Sequence, residues 1–218
     1  MKFQKHPAKK LVELFRKRPF QGQHPELAKI IFLSSDANYS PEISNHSFFE
    51  KILEYQADGV AFWKRYGCHH PFLLESYPFN KTKDGVPFHR NFSKLGLTSA
   101  HACHISFLEL LDVPTIGNKS EDRELFFDLL SLEHLRYIHS LICSGENKLF
   151  FVSRGVLRDM ARIKRSLPVF EFLNNNPCRE NQYTQTIHKN QIIEIYHFSS
   201  TQIHSQIHEI STKIKSIF

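Results

Sequence analysis

Four short stretches of the chain are apolar at nearly every position and then end in polar residues. They cover residues 28–33, 103–111, 148–153 and 192–196. A strand that is buried on both faces of a parallel sheet has this continuous pattern, whereas a strand with one face in water alternates. Because segments with helical spacing separate the four stretches, the sequence predicts an α/β fold. The expected architecture is a three-layer αβα sandwich around a central four-stranded parallel sheet.

The segments between these strands divide into amphipathic helices and longer irregular stretches. A basic helix is predicted within residues 1–24, and a helical insertion is predicted over residues 47–66, with a candidate break at Asp58-Gly59. Ser47 and Glu50 have the spacing of a capping box at the start of that insertion. Residues 69–91 have no sustained period and contain three prolines. They predict a long loop, and long loops in compact domains are often functional.

Polar side chains follow the predicted strands at the points where the strands end. Asp36 and Asn38 come directly after the first strand, Glu109 lies late in the second, and His197 follows the last. Because parallel strands all end at one edge of a sheet, we expect these residues to lie together in a ligand-binding crevice. An ordinary Asp/Asn turn is the alternative interpretation of residues 34–38.

Glu109 interrupts an apolar strand, where a lone carboxylate would be costly to bury. Three explanations stay open from the sequence. The carboxylate is paired with a Lys or Arg, it is protonated, or it is kept to meet a ligand.

The charge of the chain favours an acidic partner. It has 28 Lys and Arg against 22 Asp and Glu, for a formal charge of +6. In addition, Arg154, Arg158, Arg162 and Arg165 recur on one face of a predicted helix, an arrangement that suits a phosphate backbone unless acidic neighbours neutralise it. No glycine-rich nucleotide-binding loop is found, which argues against dinucleotide or ATP dependence.

The cysteines and the termini suggest an intracellular protein. The four cysteines are dispersed without a C-x-x-C pair, so we expect reduced thiols; an iron–sulfur or zinc site built from distant positions is the alternative. The N-terminus lacks the apolar core of a signal peptide, and no apolar run approaches membrane-spanning length. We therefore expect one cytoplasmic domain over residues 1–218, monomeric, with no metal or cofactor and no membrane partner.

Three short motifs resemble those of the uracil-DNA glycosylase superfamily. The stretch Ser-Ser-Asp-Ala-Asn at 34–38 is similar to the family's first motif, G-Q-D-P-Y or G-[IM]-N-P-G, at the end of the first strand. His-Phe-Ser-Ser at 197–200 is similar to its closing H-P-S-P motif, and Gly-Val-Pro-Phe at 85–88 is similar to its G-x-P-F element. The resemblance covers nearly the whole chain after residue 28.

The resemblance implies a DNA glycosylase that flips a base out of DNA and hydrolyses its N-glycosidic bond, in base-excision repair or in defence against foreign modified DNA. Asp36 would deprotonate water or stabilise the cationic sugar, with Asn38 as the alternative, and His197 would donate to the departing base. Phe88, or less favoured Phe72, would stack on that base. The groups expected to hold DNA phosphates are Ser199, Ser200, Arg154 and Arg158. This assignment agrees with the reaction itself, which needs a carboxylate or an amide on the sugar side and a hydrogen-bond donor on the base side.

Glu109 falls about where many members of this family keep an amide that reads the base edge. An ionised carboxylate only accepts hydrogen bonds, so it would select an exocyclic amine rather than uracil. The sequence therefore predicts a damaged or modified base that carries an amino group, such as a hypermodified cytosine.

Two other functions stay open. One is a catalytically silent DNA-binding sensor of the same fold, and the other is a Rossmann-like nucleoside hydrolase. The histidines at 69, 70, 89, 101 and 104 are further candidates for ligands or catalysts, although each alone is more commonly an ordinary loop or strand residue.

Overall fold

The structure is a computed structural model that describes residues 2–173 and 183–217. Its centre is a six-stranded sheet with the strand order β2-β4-β3-β6-β8-β7, and β1 pairs with β5 in a separate two-stranded sheet. The strands are β1 Gln4–Lys5, β2 Phe20–Gly22, β3 Ile30–Ser34, β4 Ile105–Glu109, β5 Thr115–Ile116, β6 Leu149–Ser153, β7 Thr184–Ile187 and β8 Asn190–Ile195.

The four strands predicted from the sequence are β3, β4, β6 and β8, and they are parallel neighbours at the centre of the sheet. The mixed α/β class and the mostly parallel sheet are therefore confirmed. The predicted count of four strands is wrong, because β2 and β7 add antiparallel edges beside β4 and β8. Both edge strands are too short to show a sustained period of apolar residues.

Eight α-helices surround the sheet in the described part of the chain. They are α1 Lys9–Lys17, α2 Phe49–Ala57, α3 Gly59–Tyr66, α4 Val86–Phe92, α5 Arg123–Asp128, α6 Leu132–Cys143, α7 Arg154–Ser166 and α8 Ile207–Lys215. None of the described helices is long and apolar enough to cross a membrane.

The helical insertion is broken where the sequence predicted. The Asp58 carboxylate accepts a hydrogen bond from Ala61 N at 2.9 Å and so caps α3. The predicted capping box is wrong, since α2 starts at Phe49 without a side-chain cap. The loop predicted over 69–91 is wrong at its end, where Pro87 lies in the first turn of α4 and is compatible with helix there.

Successive residues of the central strands point to opposite faces, and both faces are covered. Ile31 and Leu33 pack with α6 and α7 in one core, while Ile30 and Phe32 pack with α3, α4 and α8 in another. Burial on both sides explains why these strands lack polar alternation.

A third apolar cluster forms beyond the carboxyl ends of the strands, and we call it the cap cluster. Its members come from α1, α2, the first residue of α4 and the segments that follow β3 and α3. They are Leu11, Phe15, Ala37, Tyr39, Ile43, Phe48, Phe49, Ile52, Leu53, Phe72, Tyr77 and Val86. The cap cluster therefore faces the edge of the sheet where the polar strand ends were predicted to gather.

Candidate functional site

A cavity of about 890 Å³ opens at this edge, between the sheet and the cap cluster. It contains most of the residues singled out from the sequence, although they are far apart along the chain. Those that line it are Asp36, Asn38, Phe72, Phe88, Glu109, His197 and Ser199.

The parallel register brings the two acidic strand ends together. Ser34, the last residue of β3, pairs with Glu109, the last residue of β4. Beyond them the chain segments continue side by side, since Thr115 N donates to Ala37 O at 2.9 Å and Tyr39 N donates to Thr115 O at 3.0 Å. This pairing fixes Asp36 and Asn38 in the lining of the cavity.

A short chain of hydrogen bonds orients Asp36. Thr115 Oγ1 donates to Asp36 Oδ2 at 2.5 Å, and Asn38 Nδ2 lies 3.4 Å from Thr115 Oγ1 and 2.6 Å from Gly117 O. Burial raises the pKa of Asp36, and the hydrogen bond from Thr115 and the charge of Lys119 oppose that rise. Because its amide donates to Gly117 O, Asn38 holds the loop that follows Thr115.

His197 is a neutral hydrogen-bond donor at the cavity. Ser199 N donates to His197 Nδ1 at 3.2 Å, so the proton of the neutral ring is on Nε2. Although the side chain is exposed toward the cavity, the surrounding protein lowers its pKa to about 4, and the positive charge of Lys119 acts in the same direction.

Glu109 is buried, with 4% of its surface exposed, and its Oε2 has no hydrogen-bond partner within residues 2–173 and 183–217. No Lys or Arg of the described residues forms an ion pair with it, which removes one of the three explanations. Burial, and then the charge of Asp36, raise its pKa to about 8, while Ser34 opposes the rise. The carboxyl group is therefore largely protonated at pH 7 and donates as well as accepts.

Of the two predicted stacking residues, Phe88 has the more accessible ring. It is half-buried, and its centroid lies 5.6 Å from that of His197. Phe72 is only 2% exposed and packs against His70 and Tyr77. Gly85 allows the chain to pass close to the Phe72 ring and to Asn38 O. A Cβ at this position would lie 3.0 Å from the ring and 3.2 Å from the oxygen.

The predicted phosphate-binding groups are dispersed. Arg154 forms an ion pair with Glu194 on β8, and Arg158 is exposed on α7. Ser200 caps a short 3-10 helix by accepting from Gln202 N at 3.2 Å. These three lie outside the cavity lining, and only Ser199 of the predicted group lies within it.

Sequence reasoning missed Thr115 and Lys119. Lys119 Nζ lies 2.6 Å from the buried carboxylate of Asp159 and also donates to Ser35, so it is a fixed cation in the cavity wall. Both residues follow β4 in a segment without any period. Their importance comes only from the pairing of that segment with residues 36–39.

Three histidines are buried beside the cavity. His69 Nε2 and His89 Nδ1 are 3.1 Å apart, and the rings of His70 and His89 stack at 3.6 Å. His70 and His89 line the cavity. Burial lowers the pKa of all three.

The described residues hold no group of three His, Cys, Asp or Glu side chains able to bind a metal. Cys68, Cys103 and Cys143 are free thiols, and Cys178 lies outside the described residues.

Comparison with known proteins gives no match: neither a protein-family model, nor a curated protein, nor a solved structure corresponds to this chain.

Proposed function

We propose that the protein is a DNA glycosylase of the uracil-DNA glycosylase type, which flips a modified or damaged base out of DNA and hydrolyses its N-glycosidic bond. The observation that carries this proposal is that Asp36, Glu109 and His197 line one cavity, with the half-buried ring of Phe88 beside them. Ligand cavities are commonly 300–1,000 Å³, so about 890 Å³ has room for a flipped nucleotide.

The reaction needs a negatively charged group near the sugar and a hydrogen-bond donor near the base, because opposite charges develop at the two ends of the breaking bond. Asp36 orients or deprotonates the attacking water and stabilises the positive charge that develops on the sugar. His197 Nε2–H donates to the base as the base takes up negative charge, and a neutral donor with a low pKa is suited to this role without full proton transfer. Phe88 supplies a ring for the extruded base to stack on.

The expected substrate is a base that carries an amino group, and Glu109 supports this preference in either protonation state. Its carboxyl oxygen accepts from an amine, while the protonated group also donates to a ring nitrogen or a carbonyl. DNA is the proposed partner, with Lys119 and Ser199 nearest to the phosphates that flank the flipped nucleotide. A monomeric cytoplasmic protein in repair or in defence against modified DNA fits this proposal.

The test is base release from a panel of duplexes that carry different damaged and modified bases, followed by mass spectrometry. Asp36→Asn should lower the rate at least about 100-fold, because general base and electrostatic roles each contribute that much. Asp128→Asn is the matched control, since Asp128 is exposed at the end of α5 and lies outside the cavity lining. Equal rates for Asp36→Asn and wild type would contradict the proposed mechanism. Duplex binding without release from any substrate would favour the silent sensor.

One observation favours a nucleoside hydrolase as the second candidate. Glu42, Asp84 and Glu121 lie at the cavity together with Asp36, against the cations Lys83 and Lys119. An acidic lining repels a phosphate backbone, whereas it tolerates an uncharged nucleoside. Release of bases from free nucleosides, with no salt-dependent binding to DNA, would identify this activity.

A further inference from the structure

Two polar atoms beside the cavity have no hydrogen-bond partner among the residues that the structure describes. They are Nε2 of His70, a residue with no exposed surface, and Oε2 of Glu109, which is 4% exposed. Both residues line the cavity. A buried polar atom without a partner costs about 1–3 kcal/mol, so such atoms are uncommon and call for an explanation.

The chemical character of the His70 atom follows from its neighbours. Phe72 N donates to His70 Nδ1 at 3.2 Å, which makes Nδ1 the acceptor of the ring. The ring is neutral because burial holds its pKa well below the usual value. Its proton is therefore on Nε2, and His70 offers an unused donor.

The rings around His70 prevent it from turning to find another partner. It stacks on His89 at 3.6 Å, meets Tyr55 edge-on at 4.5 Å and packs on Phe72 at 4.3 Å. The backbone of Glu109 is held at the end of β4, where its oxygen lies 2.8 Å from His134 Nε2, and Ser34 hydrogen-bonds its carboxyl group. Two fixed groups with unmet hydrogen bonds are what a preorganised binding site requires.

We propose that His70 and Glu109 together read the hydrogen-bonding edge of the bound base. His70 donates from Nε2, and Glu109 accepts at Oε2, with the proton of its carboxyl group on Oε1. This inference rests on the proposed function and states which hydrogen-bonding edge the substrate base presents. The complementary ligand has an acceptor, either a ring nitrogen or a carbonyl oxygen, next to an N–H or NH₂ group. Pyrimidines with a free Watson–Crick edge have this pattern, and bases alkylated on that edge do not.

The probes are two free pyrimidines and their edge-blocked partners, titrated into the full chain at pH 7 by calorimetry or NMR. 1-Methyluracil and 1-methylcytosine keep the edge and carry a methyl group at the glycosidic nitrogen. 1,3-Dimethyluracil and N4,N4,1-trimethylcytosine have the same ring with the edge blocked. We expect at least one open-edge probe to bind about tenfold or more tightly than its blocked partner, the usual effect of losing a hydrogen bond to a buried group.

The variants separate His70 from its surroundings. His70→Phe keeps a flat ring without the donor and should weaken open-edge binding about tenfold, with little effect on the blocked probes. Glu109→Leu should do the same and serves as the second variant if His70→Phe does not fold. Tyr137→Phe is the control, because it also removes a buried hydroxyl without a partner, on α6 and outside the cavity lining. Its affinity should equal that of wild type.

Three results would overturn the inference: equal binding of open and blocked probes, binding of neither, or open-edge binding that both cavity variants leave unchanged. Base release by the same preparation is measured in parallel. Base release from duplexes together with any of these results would support the proposed function and reject the role of His70 and Glu109 in reading the base edge. Edge-dependent binding without release from any duplex would support the edge and reject the glycosylase.

Discussion

The side chain of Asp36 shows how a site residue depends on a neighbour that no sequence pattern marks. Thr115 is fully buried and donates to Asp36 Oδ2, and Asn38 lies behind it at 3.4 Å. The hydrogen bond favours the ionised carboxylate and so limits the rise in the pKa of Asp36 that burial causes. Thr115 is thus a positioning residue, and Asn38 acts through it.

Replacement of Thr115 tests this role. Thr115→Val keeps the shape and removes the donor, so the pKa of Asp36 should rise further. Because the proposed mechanism needs the ionised carboxylate, the acidic limb of the pH–rate profile for base release should move to higher pH. Thr115→Ser keeps the hydroxyl and should leave the limb in place. An unchanged limb in Thr115→Val would show that the hydroxyl only supports folding.

Glu109 links stability to pH in a direction that can be measured. Its pKa rises from 4.5 to about 8 in the folded protein, so the folded state holds a proton that the unfolded state releases. The group therefore stabilises the fold below pH 4.5, and that stabilisation is lost as pH rises to about 8, at up to about 1.4 kcal/mol per pH unit.

Denaturant unfolding of Glu109→Gln across pH 5 to 9 checks this expectation. The variant should gain on wild type as pH rises and become the more stable of the two above pH 8. Glu13→Gln, at an exposed position of α1, should follow wild type throughout. A constant difference between Glu109→Gln and wild type would show that Glu109 does not hold a proton in the folded state.

Sequence reasoning singled out Asp36, Glu109, His197 and Phe88 because each lies at a strand end or in a motif, and all four line the cavity. It did not find Thr115 or Lys119. These two residues act through contacts across 79 and 84 positions of the chain, with Asp36 and Ser35. Periodicity is a local signal and does not report such distant pairs.

At the scale of elements, α7 shows both the use and the limit of a charge pattern. The arginine row predicted from its spacing exists, but its members do different work. Arg154 pairs with Glu194 on β8, and Arg162 lies over the Phe127 ring at 4.1 Å. Arg158, in the second turn of the helix, and Arg165, in its last turn, are exposed. Only the folded protein shows which arginines already have partners.

Arg158 is therefore the member of the predicted pair to test for phosphate contact. If it meets one phosphate, Arg158→Ala should lower the slope of log affinity against log salt by about 1 for duplex DNA, whatever the base sequence. Arg165→Ala, in the last turn of the same helix, is the matched control and should leave the slope unchanged. If the slopes of both variants equal the wild-type slope, the two exposed arginines of α7 do not contact DNA phosphates.

The same limit applies to the strands. The parallel core of β3, β4, β6 and β8 was predictable because each strand is buried on both faces and so is apolar throughout. The edge strands were not predictable. β2 is three residues long, and β7 depends on a hairpin in which His188 takes a positive φ of 54°. Neither feature changes the apolar pattern of the chain.

At the scale of the whole molecule, the buried histidines set the acid limit of stability. Burial holds the pKa of His69, His70 and His89 far below the usual 6.5. Below pH 6.5 the unfolded chain takes up protons that the folded protein does not, so stability falls as pH falls. Three histidines together outweigh the opposite contribution of Glu109, since each group contributes at most about 1.4 kcal/mol per pH unit.

The expected profile has its maximum near pH 6.5 and falls on both sides. The unfolding free energy should drop by roughly 2 kcal/mol or more between pH 6.5 and 5, measured by urea titration. His69→Phe should make the acidic side of the profile less steep. Leu27→Ala, at a position that is 68% exposed, should leave the slope unchanged. A profile that stays level down to pH 5 would show that these histidines accept protons in the folded state.

The cap cluster has a consequence for what a ligand does to the molecule. It is a separate body of apolar contacts, and the cavity lies on the boundary between it and the sheet. A small molecule held by His70 on the cap side and by Glu109 and His197 on the sheet side would link the two across that boundary. Ligand binding should then raise the melting temperature of α1 and α2, although these helices carry none of the proposed catalytic residues.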